Sequence, residues 1–359
     1  MNYDNIQDVS IYVGPACNFN CTYCDRAYVK NVGVDAAECD PALIDFVVDV
    51  VEHSEKPMVS FHGGEPLVYI KTMRKIILAI LERVPDFKDK AIFFIQTNGS
   101  LILQHRSFFE EFKDVLYVSI SYDFHHQGLN RTEYDIEATL TFLQGQNIDV
   151  QFQYVIPTNE KSVFSPETFN AIIKLYREYK ISCLNLILLR HIRREDRFET
   201  VIADETLYLQ QFFTAFLQFV QLLYVSGINL FIDGHTTKID KQYFENHKQL
   251  VLAPNGMIVP EYQFIEYDDY DFAIGRWKPY VEVIRDQMPK KAADKIRKPC
   301  HGCQARELCG LQYHYAIFDM DPPTPNRCRE FYLLNKIAIK HLYKLKEKPT
   351  LLQHLGIQQ

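Results

Sequence analysis

Three cysteines, Cys17, Cys21 and Cys24, fall within eight residues. Thiolates prefer soft ions, so a soft metal or an iron–sulfur cluster is the natural ligand of such a group. Three thiols do not complete the four-thiolate shell of an ordinary [4Fe–4S] cluster or of a closed structural zinc site. Either a fourth ligand comes from elsewhere in the chain, or one position is left open for a substrate. Tyr23 lies between the last two thiols and would bring an aromatic face to the edge of whatever they hold. A second group, Cys300, Cys303, Cys309 and Cys328, supplies four thiols. Four make a closed shell, which suits a four-thiolate zinc or a fully ligated [4Fe–4S] cluster. Cys39 and Cys183 stand outside both groups, and Cys183, in the apolar run 181–189, reads as a small core residue.

The elements that must position these thiols alternate between strand and helix. Strand-like runs at 9–13, 58–61, 91–95, 116–121, 150–156 and 183–189 are separated by helical patterns at 41–55, 70–83, 106–112, 133–143 and 166–179. Asp40-Pro41 marks the first helix start, with Asp as N-cap and Pro in the first turn. Six such repeats predict an α/β chain with a parallel sheet and crossover helices: a partial (β/α)6 TIM-like barrel over residues 1–225. In such barrels the chemistry sits on the loops after the strands' C-terminal ends. The cysteine triplet follows the first strand, Gly63-Gly64-Glu65-Pro66 the second, Gln96-Thr97-Asn98-Gly99 the third and Tyr122-Asp123-Phe124-His125-His126 the fourth. These motifs are therefore expected on one face.

A long helix over 204–224 follows, and Gly227 breaks it. Residues 226–359 then predict a small α+β domain around the four-cysteine group. Its expected elements are strands at 228–232 and 249–253, a turn at 254–256 with a return strand at 257–259, and helices over 278–287 and 330–345.

Composition narrows the class. The chain has 359 residues, 47% of them hydrophobic, and a net charge of -7. That is enough for one large or two ordinary domains and argues against nucleic acid as a partner. The basic run 190–194 reads as a solvated loop. No apolar run approaches the roughly 18 to 20 residues of a membrane span, and the N-terminus lacks a secretory signal. A cytoplasmic location is expected, where nine cysteines serve metal or cluster binding sooner than disulfides.

Cys17-x3-Cys21-x2-Cys24 with an aromatic residue before the last cysteine resembles the signature of the radical S-adenosylmethionine (SAM) enzymes. The resemblance implies that these three cysteines hold a [4Fe–4S] cluster whose open iron takes the amino and carboxylate groups of SAM. Cleavage of SAM then gives a 5′-deoxyadenosyl radical that abstracts hydrogen from substrate, the cofactor supplying the chemistry and the protein its placement. Gly63, Gly64, Glu65 and Pro66 resemble the family's Gly-Gly-Glu-Pro motif, which binds the cofactor's ammonium. Two glycines allow close backbone approach and a carboxylate pairs with an amine. Asn98 lies in a Thr-Asn-Gly like the family's. Ser121 matches the Ser that reaches the ribose, and Arg131 is a candidate partner for the cofactor's carboxylate.

Cys300-x2-Cys303-x5-Cys309-x18-Cys328 is similar to the outer cluster set of a SPASM domain, with Tyr313 where that motif has a further cysteine. Pro254-Asn255-Gly256 and its return strand resemble the SPASM hairpin, with Glu261 near an expected cysteine position. The resemblance implies a reduced SPASM-like domain with one auxiliary [4Fe–4S] cluster, two clusters in all, zinc being the alternative there. It further implies a maturase acting on a ribosomally made peptide or protein, forming a cross-link, epimerising or oxidising. A reductant such as flavodoxin or ferredoxin would serve it. The first strand begins within about ten residues of Met1, so leader recognition is expected from the second domain or a separate protein. The aromatic and acidic stretch 262–270 is a possible contact surface or an ordinary solvated loop. Asp123, His125 and Asp233 are candidates for acid–base work near the barrel top. Two other functions stand beside this one: a radical SAM enzyme acting on a small-molecule precursor, and a non-catalytic iron–sulfur or zinc protein.

Overall fold

In the computed structural model the strands run in chain order as β1 (Asp8–Tyr12), β2 (Met58–His62), β3 (Ile92–Thr97), β4 (Leu116–Ser121), β5 (Asp149–Ile156), β6 (Ile181–Leu188), β7 (Leu230–Asp233), β8 (Gln249–Leu252), β9 (Met257–Val259), β10 (Gly275–Arg276) and β11 (Glu282–Val283). The longer helices are α1 (Pro41–His53), α2 (Ile70–Arg83), α3 (Arg106–Phe112), α4 (Ile136–Gly145), α5 (Pro166–Glu178) and α6 (Glu205–Val225). The structure describes residues 6–24, 36–156, 161–188, 205–233, 249–260, 265, 270, 273–279 and 281–283. Cys300, Cys303, Cys309 and Cys328, the basic run 190–194, Glu261 and the helix expected over 330–345 lie outside the described residues. Among the described residues no helix is long and apolar enough to cross a membrane.

The chain forms two compact units, one of Met1–Ser121, Gly128–Val150 and Phe244–Lys291, the other of Tyr122–Gln127, Gln151–Tyr243 and Ala292–Gln359. In the first, β8, β1, β2, β3 and β4 lie side by side in parallel. Beyond β8 the edge continues antiparallel through β9, β10 and β11. Gly256, at φ +91, makes the tight turn from β8 to β9, and Ala253 N donates to Met257 O at 2.9 Å. The parallel pairing of β8 with β1, Ile11 opposite Leu252, joins residues 241 apart at Asp8 and Gln249.

Register sorts the side chains of this sheet. Val9, Val59 and Phe93 are in line across β1, β2 and β3, and Ile11, Phe61, Ile95 and Val118 form the next such row. All seven are fully buried or nearly so. Alternate residues in a strand point to opposite faces, so Ser10 and Ser60, and His62 one row on, lie on the other side. Ser119 of β4 shares that side with Gln96. The sheet thus has an apolar face for its helices and a face rich in hydroxyls, amides and imidazole. On the apolar side α1 buries Leu43, Ile44, Phe46, Val47, Val50 and Val51. Burial stabilises by about 1.5–3 kcal/mol per large apolar side chain. The helix starts where Asp40 Oδ1 accepts from Ala42 N at 2.9 Å, with Pro41 in the first turn.

In the second unit β5, β6 and β7 are neighbours, with β6 and β7 parallel. Phe164 packs its ring 5.0 Å from that of Phe212 and 5.5 Å from that of Phe219 on α6.

Two sequence expectations change. Residues 282–283 form β11 instead of part of a helix: the alternation Val281-Glu282-Val283 suits a strand, and Arg276 pairs with Glu282 across it at 4.0 Å. Cys183 is half-buried and not a core residue, because the core face of β6 belongs to its neighbours Leu184 and Leu186.

Candidate active site

The cysteine loop that follows β1 is tied to the ends of three other strands, all in the first unit. Toward β2, Val13 N donates to His62 O at 2.8 Å, Gly64 N to Gly14 O at 2.9 Å and Glu65 N to Ala16 O at 2.8 Å. The Tyr69 hydroxyl accepts from Ala16 N at 2.7 Å. A Cβ on Gly64 would overlap the carbonyl oxygens of Ala16 and Pro15, so only glycine permits this approach. Toward β3, Asn98 Nδ2 donates to Asn18 Oδ1 at 2.8 Å, and Asn18 Nδ2 to Ser100 Oγ at 2.9 Å. Toward β4, Thr22 N donates to Asn130 O at 3.0 Å. Arg131 Nε donates to Cys21 Sγ at 3.2 Å, and its Nη1 to the Ser121 carbonyl.

Glu65 is the buried anchor of this arrangement. Its Oε1 accepts from Leu67 N at 3.0 Å and Thr97 Oγ1 at 2.6 Å, and its Oε2 from Asn98 N at 2.7 Å. Burial raises its carboxyl above the usual range, opposed by the donors of Asn98, Thr97 and Leu67 and by the charge of Arg131. A carboxylate offers about four acceptor positions. Three are taken here by the chain, which leaves one on Oε2. Pro66 opens a short 3-10 turn directly after it. Asn98 and Ser121 are buried, and the Arg131 guanidinium lies 5.8 Å from the centre of the Tyr23 ring.

The thiols themselves are differently placed. Cys21 is buried beside Arg131, while Cys17 and Cys24 are half-buried. Cys17 Sγ accepts from Phe19 N at 3.4 Å. Among the described residues no three Cys, His, Asp or Glu side chains converge as a ready metal site. The donor set still fits a soft cluster: three thiols share one loop, and donors already point at two of the sulfurs, as donors do around ligating thiolates.

The acid–base candidates belong to the second unit. Asp123 is fully buried, and its backbone N donates to Gln127 Oε1 at 2.9 Å. His125 is exposed, its ring 5.4 Å from that of His126. Asp233 closes β7 in register with Ile187. Sequence reasoning gave no role to Thr97, Asn18, Ser100 or Tyr69, although the first two sit inside the quoted motifs. It also passed over the cluster of Asp8, Ser10, Ser60 and Gln249 on the polar face of the sheet.

Residues 11–143 match the family model for the Radical SAM superfamily. That segment, and not the whole chain, is what matches a radical SAM domain; it takes in the last two residues of β1 and then β2 to β4 with their loops. No curated protein matches the chain in sequence. Among solved structures, native anSMEcpe with bound AdoMet aligns with a TM-score of 0.65 at 18% identity, over 94% of this chain and 98% of that one. The same protein with bound AdoMet and the Kp18Cys peptide aligns equally well, again at a TM-score of 0.65 and 18% identity over 94% and 98% of the two chains. Streptococcus suis SuiB bound to precursor peptide SuiA aligns with a TM-score of 0.55 at 14% identity, over 84% of this chain and 70% of that one. At such identities the likeness speaks to the fold, which is the α/β partial-barrel class expected from the sequence.

Proposed function

We propose that the chain is a radical SAM enzyme acting on a peptide or protein substrate. The observation that carries this reading is the stitching of the Cys17–Cys24 loop to the ends of β2, β3 and β4. It sets three thiols, a glycine approach, Ser121 and Arg131 within one structural unit. A [4Fe–4S] cluster held by Cys17, Cys21 and Cys24, with SAM, would supply reductive sulfonium cleavage and hydrogen-atom abstraction. Tyr23 would cover the cluster's edge. The backbone of Gly63 and Gly64 and the remaining acceptor position of Glu65 would face the cofactor's ammonium. Ser121 and Asn98 would offer hydrogen bonds to its polar groups, and Arg131 would hold Cys21 and the cofactor's carboxylate. Asp123, His125 and Asp233 remain the candidates for proton transfer.

Peptides named with two of the aligned structures support a peptide substrate. We assign Cys300, Cys303, Cys309 and Cys328 to a second, closed [4Fe–4S] cluster within a SPASM-like domain over 226–359, reduced in extent, with the barrel domain over 1–225. Cross-link, epimerisation or oxidation are the product classes, in the cytoplasm, with a flavodoxin or ferredoxin as electron donor.

The test is anaerobic purification and reconstitution. Two clusters predict about eight irons per chain, and dithionite with SAM should release 5′-deoxyadenosine. Cys17→Ala should keep about half the iron and lose that release. Full iron with no SAM cleavage would sink the reading. Mass spectrometry of co-expressed candidate peptides then identifies the product: a loss of two hydrogens marks a cross-link or oxidation.

A further inference from the structure

Strand β6 places a polar residue where the fold alone calls for none. Leu184 and Leu186 are fully buried, and Asn185 between them faces the opposite side. Asn185 is only 8% exposed, and its Oδ1 has no hydrogen-bond partner among the described residues. The neighbouring strand β5 repeats the pattern, with Gln153 buried between Phe152 and Tyr154. Tyr154 donates its hydroxyl to Val163 O at 3.3 Å, beside Phe164 and its contacts with α6. The apolar alternates of β5 thus face that helical layer, and the amide-bearing alternates face away from it.

A buried carbonyl oxygen without a donor is destabilising, and a leucine would serve the fold better at this position. A donor that arrives with a ligand would pair this oxygen. A primary amide presents one acceptor and two donors side by side. That pattern is complementary to a peptide group, whose N–H and C=O can engage both at once. Gln151 and Gln153 on β5 and Asn185 on β6 are uncharged, and on β7 the residue in register with Ile187, two positions from Asn185, is the acidic Asp233. Amides beside an acidic residue suit a peptide backbone and not a phosphate or a carboxylate, which want Arg or Lys.

We propose that Asn185 is a substrate-binding residue whose side-chain amide pairs with a backbone amide of the peptide substrate. This rests on the peptide-modifying function proposed above.

The test compares wild type with Asn185→Leu and Asn185→Ala as reconstituted holoenzymes. The probe is a pool of fluorescein-labelled capped peptides of varied sequence, read by anisotropy, with Tm measured in parallel. The members bound by wild type are expected to bind Asn185→Leu about tenfold more weakly, the loss of two hydrogen bonds. Its Tm should be equal to or above that of wild type, because an unpaired polar group has gone. If Leu misfits and lowers Tm, Asn185→Ala carries the affinity comparison. Unchanged affinity in a folded variant overturns the assignment, and unchanged affinity with a lower Tm assigns Asn185 to structure. If wild type binds no member of the pool and changes the mass of none, the peptide function itself fails and Asn185 with it.

Discussion

Arg131 Nε lies 3.2 Å from Cys21 Sγ, and the same guanidinium donates to the Ser121 carbonyl. One side chain thus clamps the cysteine loop to the end of β4. A lysine reaches with one rotatable ammonium and cannot serve both acceptors in a fixed fork. Arg131→Lys should therefore retain less iron at the first cluster and bind SAM about tenfold more weakly, while Arg131→Met should lose most of both. Iron analysis and equilibrium dialysis with SAM check this. Wild-type iron and SAM affinity in Arg131→Met would remove Arg131 from the site.

Glu65 makes a sharper case for structure. Its carboxylate accepts three hydrogen bonds, from Leu67, Thr97 and Asn98. Glu65→Gln keeps the shape but turns an NH2 toward at least one of these donors. Leaving a buried donor unpaired costs about 1–3 kcal/mol, more beside a lost charge. Urea unfolding should show a loss of about 2–3 kcal/mol. A variant as stable as wild type would mean that the three bonds are not a stabilising unit.

Asp8 links stability to pH. Its carboxyl group is enclosed, although the residue as a whole is only half-buried. It accepts from Ser60 Oγ at 2.6 Å, Ser10 Oγ at 3.1 Å and Gln249 Nε2 at 3.2 Å. Burial pushes it up to about 6 from 3.8, against the lowering effect of those donors. The folded chain therefore binds this proton more tightly than the unfolded chain does. Its contribution is most favourable below about pH 4 and is lost as pH rises through about 6. Asp8→Asn should be about 2 kcal/mol more stable than wild type at pH 7, with the gap closing toward pH 4. Denaturant melts across that range check the sign.

Two glycines give opposite expectations. Gly64→Ala drives a Cβ into the carbonyls of Ala16 and Pro15, so it should push the cysteine loop off β2. We expect a loss of about 2 kcal/mol or more and little cluster retention. Gly145 ends α4 with nothing within 4 Å of an added Cβ. Gly145→Ala should be neutral or stabilising by about 0.5 kcal/mol. Chemical melts and iron content separate the two; equal effects would contradict the geometry.

Local patterns carried most of the first sheet. Asp40-Pro41 marked α1 because capping is a property of adjacent residues, and β4 and α3 matched their sequence limits of 116–121 and 106–112. The strand-end motifs were legible because glycine pairs, Thr-Asn-Gly and clustered cysteines are short. What could not be read is pairing at a distance. Nothing near Glu65 indicates that Thr97 and Asn98 will hold its carboxylate, and nothing near Cys21 indicates Arg131. The helix expected over 278–287 failed at Glu282–Val283, where cross-strand partners on β10 outweigh a local helical pattern.

The pairing of β8 with β1 has a consequence for how the chain is made. One flank of β1 meets β2 early, through residues about 50 apart, while the other waits for Gln249–Leu252. Until the ribosome has released those residues, β1 presents an open hydrogen-bonding edge beside three thiols. Open edges recruit other strands, and closing so long a loop is slow. Synthesis at about 5–20 residues per second leaves that edge uncovered for at least ten seconds or so. Nascent chains stalled before residue 249 are thus the species most exposed to misassociation, and efficient production of this protein depends on the last strand to join the first.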